Sequence, residues 1–227
     1  MAVLAVCNET TDNLGFIGER FDAHNLGPVT TVYREDPAAW PEPTDFDLLV
    51  STGSLWSVTE DERAAALRHE VELYRRALTG AVPILAICYG AHALALALGA
   101  PGRPAPQPEA GFVVPDTADP TLVPAGPWLT WHSDLLTVPT GATLLARTPV
   151  APQAWTLGRS MAVQFHAELT PSELASWVAR GADWLHEHHI DPHALIAEAE
   201  AHAQALRARA HTLFDAFWTR LAQAPEN

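Results

Sequence analysis

The stretch Pro83-Ile84-Leu85-Ala86-Ile87-Cys88-Tyr89-Gly90-Ala91-His92-Ala93-Leu94-Ala95-Leu96-Ala97-Leu98-Gly99 leaves this chain few folds to adopt. It opens as a short apolar run, as a buried parallel strand does. It breaks at Cys88 and continues as an Ala- and Leu-rich segment suited to a helix packed on a sheet. Small residues, Ala86 and Gly90, stand two positions either side of the cysteine. That is the pattern of a nucleophile elbow, a turn so sharp that larger neighbours would clash. Such a turn lifts the thiol off the sheet and points it at a helix N-terminus. Free N–H groups and the helix dipole there favour a thiolate and a developing oxyanion. The plainer reading is a buried structural cysteine, a common fate of free Cys.

A nucleophile needs a base. Met161-Ala162-Val163-Gln164-Phe165-His166-Ala167-Glu168 reads as a strand ending in polar residues. Side chains two apart on a strand share a face, so Glu168 can orient the His166 imidazole. Cys88, His166 and Glu168 thus form a candidate nucleophile, base and orienter. Most His-x-Glu pairs are only a strand end with a solvated carboxylate; the elbow upstream gives this one its weight.

Ala86-Ile87-Cys88-Tyr89-Gly90-Ala91-His92 and Gln164-Phe165-His166-Ala167-Glu168 resemble the Gly-x-Cys-x-Gly-x-Gln and Gln-Phe-His-Pro-Glu segments of the class I, triad-type glutamine amidotransferases. Ser51-Thr52-Gly53-Ser54 is similar to that family's Ser-Gly-Gly-Pro-like loop, Glu109-Ala110-Gly111-Phe112 to its Glu-x-Gly-hydrophobic segment, and His132-Ser133-Asp134 to its His-Ser or His-Gly loop. Five segments in the family's order, across roughly residues 1–185, make a specific signal. The resemblance implies a flavodoxin-like, doubly wound α/β fold and hydrolysis of an amide through a Cys thioester. It implies an oxyanion hole from the backbone N–H groups of Gly53 and Tyr89, and no metal or organic cofactor. It also implies a small amide substrate, glutamine or a γ-glutamyl compound, and ammonia passed to a separate synthetase or acceptor subunit. His92 stands where the family commonly has a substrate-holding Gln; an imidazole lacks the amide's donor and acceptor pair and can carry charge near neutral pH. His92 and, through its loop, Ser133 are therefore candidate substrate-binding residues. A γ-glutamyl conjugate hydrolase with the same triad, and a non-catalytic subunit, are the alternatives.

Charge narrows the partners. With 13 basic residues, all Arg, against 27 acidic ones, the net charge is −14. That excludes a basic nucleic-acid footprint and attraction to anionic membranes. Met1 to Cys7 lacks the basic start of a signal peptide, and no apolar run reaches spanning length. Cys7 and Cys88 do not make a disulfide framework, so the expectation is a cytoplasmic protein in a reducing compartment.

In chain order, strands are expected at 2–7, 29–33, 46–51 and 82–87. Helices are expected at 12–26, at 61–78 with Thr59 as cap and Gly80 as stop, and after the elbow. Strands alternating with helices predict a doubly wound parallel sheet, with its site at the strands' carboxyl ends. A Pro-rich loop is expected at 36–44. Residues 101–127 read as loop apart from 111–114. Short strands follow near 128–131, 135–138, 143–147 and 153–157. Asp116, Thr117 and Asp119 read as solvated loop residues, not metal ligands. Thr170-Pro171-Ser172-Glu173 starts a helix through about 186. His186, His188, His189 and His193 raise metal binding, but a polar helix end and linker suits them better, since nothing nearby supplies a fixed geometry. Residues 1–190 are expected to form the catalytic domain and 191–227 a helical extension. The apolar stripe Leu206, Ala210, Leu213, Phe214, Phe217, Trp218 and Leu221 docks the extension on the sheet; a homodimer seam or partner surface is the alternative.

Overall fold

Side-chain alternation along the central strands explains the layering. A computed structural model describes residues 1–8, 13–33, 40–60 and 64–224. Its strands are β1 (Val3–Cys7), β2 (Val29–Tyr33), β3 (Leu48–Ser51), β4 (Ile84–Ile87), β5 (Pro104–Val113), β6 (Asp116–Thr117), β7 (Trp128–Asp134), β8 (Thr143–Arg147), β9 (Pro152–Leu157) and β10 (Ser160–Val163). Its helices are α1 (Gly15–Gly18), α2 (Ala64–Thr79), α3 (Tyr89–Ala97), α4 (Pro171–Arg180), α5 (Ala182–Glu187) and α6 (Pro192–Phe217). Eight strands form one sheet in the order β2-β1-β3-β4-β10-β9-β8-β6. The first five of that order run parallel and the last three antiparallel. On one face Val3, Val50, Leu85, Ile87 and Val163 meet Leu213, Phe214 and Phe217 of α6. On the other, Leu4, Leu49, Ile84 and Ala86 meet Tyr74 of α2 and Leu94 of α3. Successive residues serve opposite faces, the period-two pattern of a strand buried on both sides.

The C-terminal stripe therefore lies on the chain's own sheet: Leu206, Ala210, Leu213, Phe214, Phe217 and Trp218 are buried, with Leu221 packed against them. Polar contacts register the helix. Asp215 takes Arg20 and His24 at 2.8 and 2.7 Å, and Arg159 bonds the carbonyl of Ala222.

Several local expectations are corrected. The helix expected over 12–26 is only α1 and a short 3-10 turn at Asp22–His24, because Gly15 takes φ 40° and Asn25 φ 55°. Residues 101–127 contain β5 and β6 instead of loop. Pro104, Pro106 and Pro108 fall where the pairing is irregular, between Pro104 and Glu109, and β5 pairs only with β7; bulges and strands with one free edge are where a sheet tolerates proline. No strand forms at 135–138; this irregular segment buries Leu136. His132-Ser133-Asp134 end β7 instead of making a loop. The helix expected from 170 is two, broken at Gly181, where a Cβ would stand 2.6 Å from the Trp131 ring. After α2 the left-handed residue is Ala81 (φ 53°), not Gly80; Gly80 instead makes room for Thr44, whose methyl a Cβ would meet at 2.3 Å. The expected start of α2 at 61 and residues 36–39 of the loop expected at 36–44 lie outside the described residues; the loop's far end enters a 3-10 turn at Pro43–Asp45. Thr59 bonds Ser57 and, at 3.4 Å, Asp134.

Candidate active site

Three strands end together at one edge of the sheet. Ser51 of β3 pairs with Ala86 of β4, and Ile87 with Val163 of β10. The backbone N–H of Cys88 donates to the Val163 carbonyl at 2.7 Å. The chain then turns sharply: Cys88 has φ 47° and ψ −107°, a conformation costly for any residue with a Cβ. The small residue at Gly90 is required, since a Cβ there would lie 2.5 Å from Ser51 Oγ. Helix α3 starts at Tyr89, which puts the thiol at its N-terminus.

Beyond β10, the His166 N–H donates to the Leu129 carbonyl at 2.8 Å, tying the segment to β7. His166 Nδ1 lies 2.9 Å from Glu168 Oε1, so Nδ1–H donates to the carboxylate. Nε2 is buried and makes no hydrogen bond. The ring packs edge-on against Trp177 at 4.9 Å. Burial disfavours its charge, but Glu168 and then Cys88 outweigh burial and hold His166 well above the ordinary histidine value. The three candidate triad residues are thus brought together. Gly53 lies beside them, its N–H 3.4 Å from Glu168 Oε1; that long bond is to the carboxylate.

A cleft of about 330 Å³ opens over Cys88, lined among others by Ser54, Trp56, Tyr89, His92, Trp131 and Ser133. Ser133 is exposed on its wall. His92 is 4 % exposed, its Nε2 buried without a partner. Burial, then the electrostatic influence of the neighbouring His132, against a weaker opposing contact with Gln164, leave its pKa at about 3. At that value the ring is neutral near pH 7, so the charge an imidazole can carry is absent here. Asp134 fixes the opposite wall, accepting from Ser57 Oγ and Val58 N, both at 2.8 Å.

Sequence reading assigned no role to Gln164 or to the Trp131 carbonyl. Gln164 is fully buried and its Nε2 lies 3.6 Å from Cys88 Sγ; Sγ in turn points to the Trp131 carbonyl at 3.7 Å. The spacing of two that pairs His166 with Glu168 extends back to Gln164 and was the available signal. The histidines at 186–193 do not converge: His188 stacks on Trp184 with centroids 4.0 Å apart. Among the described residues no cluster of three or more His, Cys, Asp or Glu could hold a metal, and no helix is long and apolar enough to cross a membrane. Asp116 lies in β6, and Asp119 pairs with Arg220 at 2.7 Å.

Comparison with known proteins bears on the fold and the family. A glutamine amidotransferase from Thermotoga maritima superposes with a TM-score of 0.82 at 23% identity, covering 99% of both chains. One from Methylobacillus flagellatus gives 0.83 at 20% identity, covering 100% of this chain and 97% of that one. These share the fold. A GMP synthase (glutamine-hydrolyzing) of Aeropyrum pernix is 32% identical over 141 residues, 58% of this chain but only 25% of that protein. The model of the family "Glutamine amidotransferase class-I" matches residues 31–181, well over half of the chain, which belongs to that family.

Proposed function

We propose that this protein hydrolyses the side-chain amide of glutamine through a Cys88 thioester. The reading is carried by the buried His166–Glu168 pair, 2.9 Å apart, beside a cysteine held in an elbow. His166 takes the thiol proton and Sγ attacks the amide carbon. The tetrahedral oxyanion is received by the Tyr89 N–H at the helix N-terminus and by Gly53, whose amide turns from Glu168 to the substrate. His166 returns its proton to the leaving nitrogen, and ammonia departs as the C–N bond breaks. Water, deprotonated by His166, then cleaves the thioester; glutamate leaves and the thiol is restored. No cofactor enters these steps. Residues 1–190 act as the catalytic unit, with 191–227 packed on it. A separate synthetase or acceptor subunit takes the ammonia, as the Aeropyrum relative's name, with its much longer chain, supports by analogy. The reducing conditions a free thiol needs fit the cytoplasm.

His92, neutral and in the place of the family's Gln, favours a second reading: the amide belongs to a γ-glutamyl conjugate. The test is glutamate release from glutamine and from a γ-glutamyl amide, by wild type and Cys88→Ala, alone and with proteins that co-purify from the native host. Release from neither substrate under any of these conditions would sink the proposal.

A further inference from the structure

A trans peptide points its C=O and its N–H in opposite directions, so whatever holds the carbonyl also aims the amide. The Thr52–Gly53 peptide is such a unit. Its N–H, on Gly53, faces the catalytic side, 3.4 Å from Glu168 Oε1. Its carbonyl oxygen, on Thr52, receives Asn8 Nδ2 at 2.9 Å. Asn8 follows β1 directly and is fully buried. The rest of Thr52 is tied to the same strand end. Its N–H donates to the Val6 carbonyl at 3.0 Å, and its Oγ1 receives the Asn8 N–H at 3.0 Å.

The Asn8 side chain is itself held. Nδ2 also lies 3.1 Å from Ser51 Oγ and 3.2 Å from Glu70 Oε1. Glu70, on the buried face of α2, accepts on that same oxygen from Ser51 Oγ at 2.8 Å and from the Tyr74 hydroxyl at 2.6 Å. A backbone carbonyl only accepts, and this carboxyl oxygen already accepts from two hydroxyls, so the Asn8 NH₂ is the group that faces them. Asn8, Ser51, Thr52 and Glu70 are each no more than 1% exposed. Ser51 Oγ also lies under the elbow, 2.5 Å from where a Cβ on Gly90 would stand. One buried polar cluster thus joins the loop of Gly53 to the turn of Cys88, from behind the cleft and not on its wall.

We infer that Asn8, braced by Glu70 and Ser51, is the positioning residue of the oxyanion hole: by holding the Thr52 carbonyl behind the site it keeps the Gly53 N–H turned towards the reacting carbon. The role rests on the amide-hydrolase reading above; the orientation of the peptide does not. A small rotation carries the N–H from Glu168 to an oxyanion beside Cys88, and a hydrogen bond to Asn8 tolerates it. A half-turn would break that bond and put an acceptor where developing negative charge needs a donor.

Two measurements on the full chain test this. The first is turnover of glutamine or of a γ-glutamyl amide, whichever the wild type hydrolyses. In Asn8→Ala, kcat should fall roughly tenfold or more, towards the ~10²–10³-fold cost of a deleted oxyanion donor. KM should change less than about threefold, since the oxyanion exists only in the transition state. Alkylation of Cys88 by iodoacetamide displaces iodide at a saturated carbon and builds no oxyanion, so its rate should stay within about twofold of wild type. An unchanged kcat would overturn the role. So would a fall in kcat matched by slower alkylation, because the damage would then lie in the thiol and its base. Glu70→Met withdraws the acceptor that braces Asn8 and should lower kcat in the same sense. Glu70→Gln, whose side-chain oxygen can take the same donors, should recover most of it; equal losses in the two would rule out the bracing. The second measurement needs no substrate. A crystal structure of Asn8→Ala, or of Glu70→Met if that variant does not fold, should show the Thr52–Gly53 peptide turned from its wild-type orientation, and an unmoved peptide overturns the proposal. Wild type that hydrolyses neither substrate would sink the amide-hydrolase reading while leaving this orientation test in force.

Discussion

Gly53 and His166 touch so closely that a Cβ on the glycine would stand 2.4 Å from the ring's Cε1 and 3.0 Å from Nδ1. The same Cβ would lie 3.2 Å from the Cβ of Cys88, so it would crowd both members of the proposed catalytic pair. Gly53→Ala should cost about 1–3 kcal/mol of stability, as overpacking does, and lower kcat/KM at least tenfold. Denaturant midpoints and turnover check both; wild-type-like kinetics would show that the ring is free to move.

Cys88 should take the label from a diazoketone analogue of glutamine, and Cys7, buried inside β1, should not. Peptide mass spectrometry of the native protein decides this. Cys88→Ala should abolish turnover, and His166→Ala should lower it by ~10²–10⁴-fold, the range of general-base contributions. Glu168→Gln should keep more activity, because that side chain orients the base without reacting.

Two buried histidines should titrate in opposite senses. His166 is raised above the ordinary 6.5, so its contribution to stability is full below that value and disappears as pH rises through the folded-state value. His92 is lowered to about 3; its contribution is full above 6.5 and is lost as pH falls from there towards 3. Relative to wild type, His166→Gln should be most destabilised on the acid side of neutrality, and His92→Gln should gain as pH falls from about 7 to about 5. Unfolding midpoints at constant m-value measure both trends.

Substrate preference turns on the same His92. If the neutral ring shapes the amide pocket, His92→Gln should raise kcat/KM for glutamine relative to a γ-glutamyl amide, because a hydrogen-bonding site discriminates sharply against the wrong group. Identical ratios in both proteins would show that His92 does not meet the substrate.

Deleting residues 203–227 should uncover the face of the sheet that α6 protects. Phe214 and Phe217 are fully buried and Trp218 is 3% exposed; each is worth roughly 1.5–3 kcal/mol. The truncated chain should melt lower or aggregate. In the full chain, Phe217→Ala alone should cost about 3–5 kcal/mol.

The parallel strands and the placing of the candidate triad were legible because each is written locally, in an apolar run, a small-x-Cys-x-Gly turn or a spacing of two. The edge elements were less so. Strand β5 is hidden by three prolines, which are tolerated because its pairing is irregular there and confined to one partner. The break at Gly181 answers to Trp131, fifty residues earlier in the chain. The state of His92 was not legible because a side chain's charge is set by burial and by groups on other elements, neither of which its own neighbours in sequence announce.

At Cys88 folding and chemistry ask for different residues. A glycine would adopt φ 47°, ψ −107° with little penalty, whereas cysteine holds it at a cost of the order of 1–3 kcal/mol. A Cys88→Gly protein should therefore outlast its parent on heating. Selection for robustness alone would erode the cysteine; under the proposed function, demand for turnover is what keeps sulfur at this position.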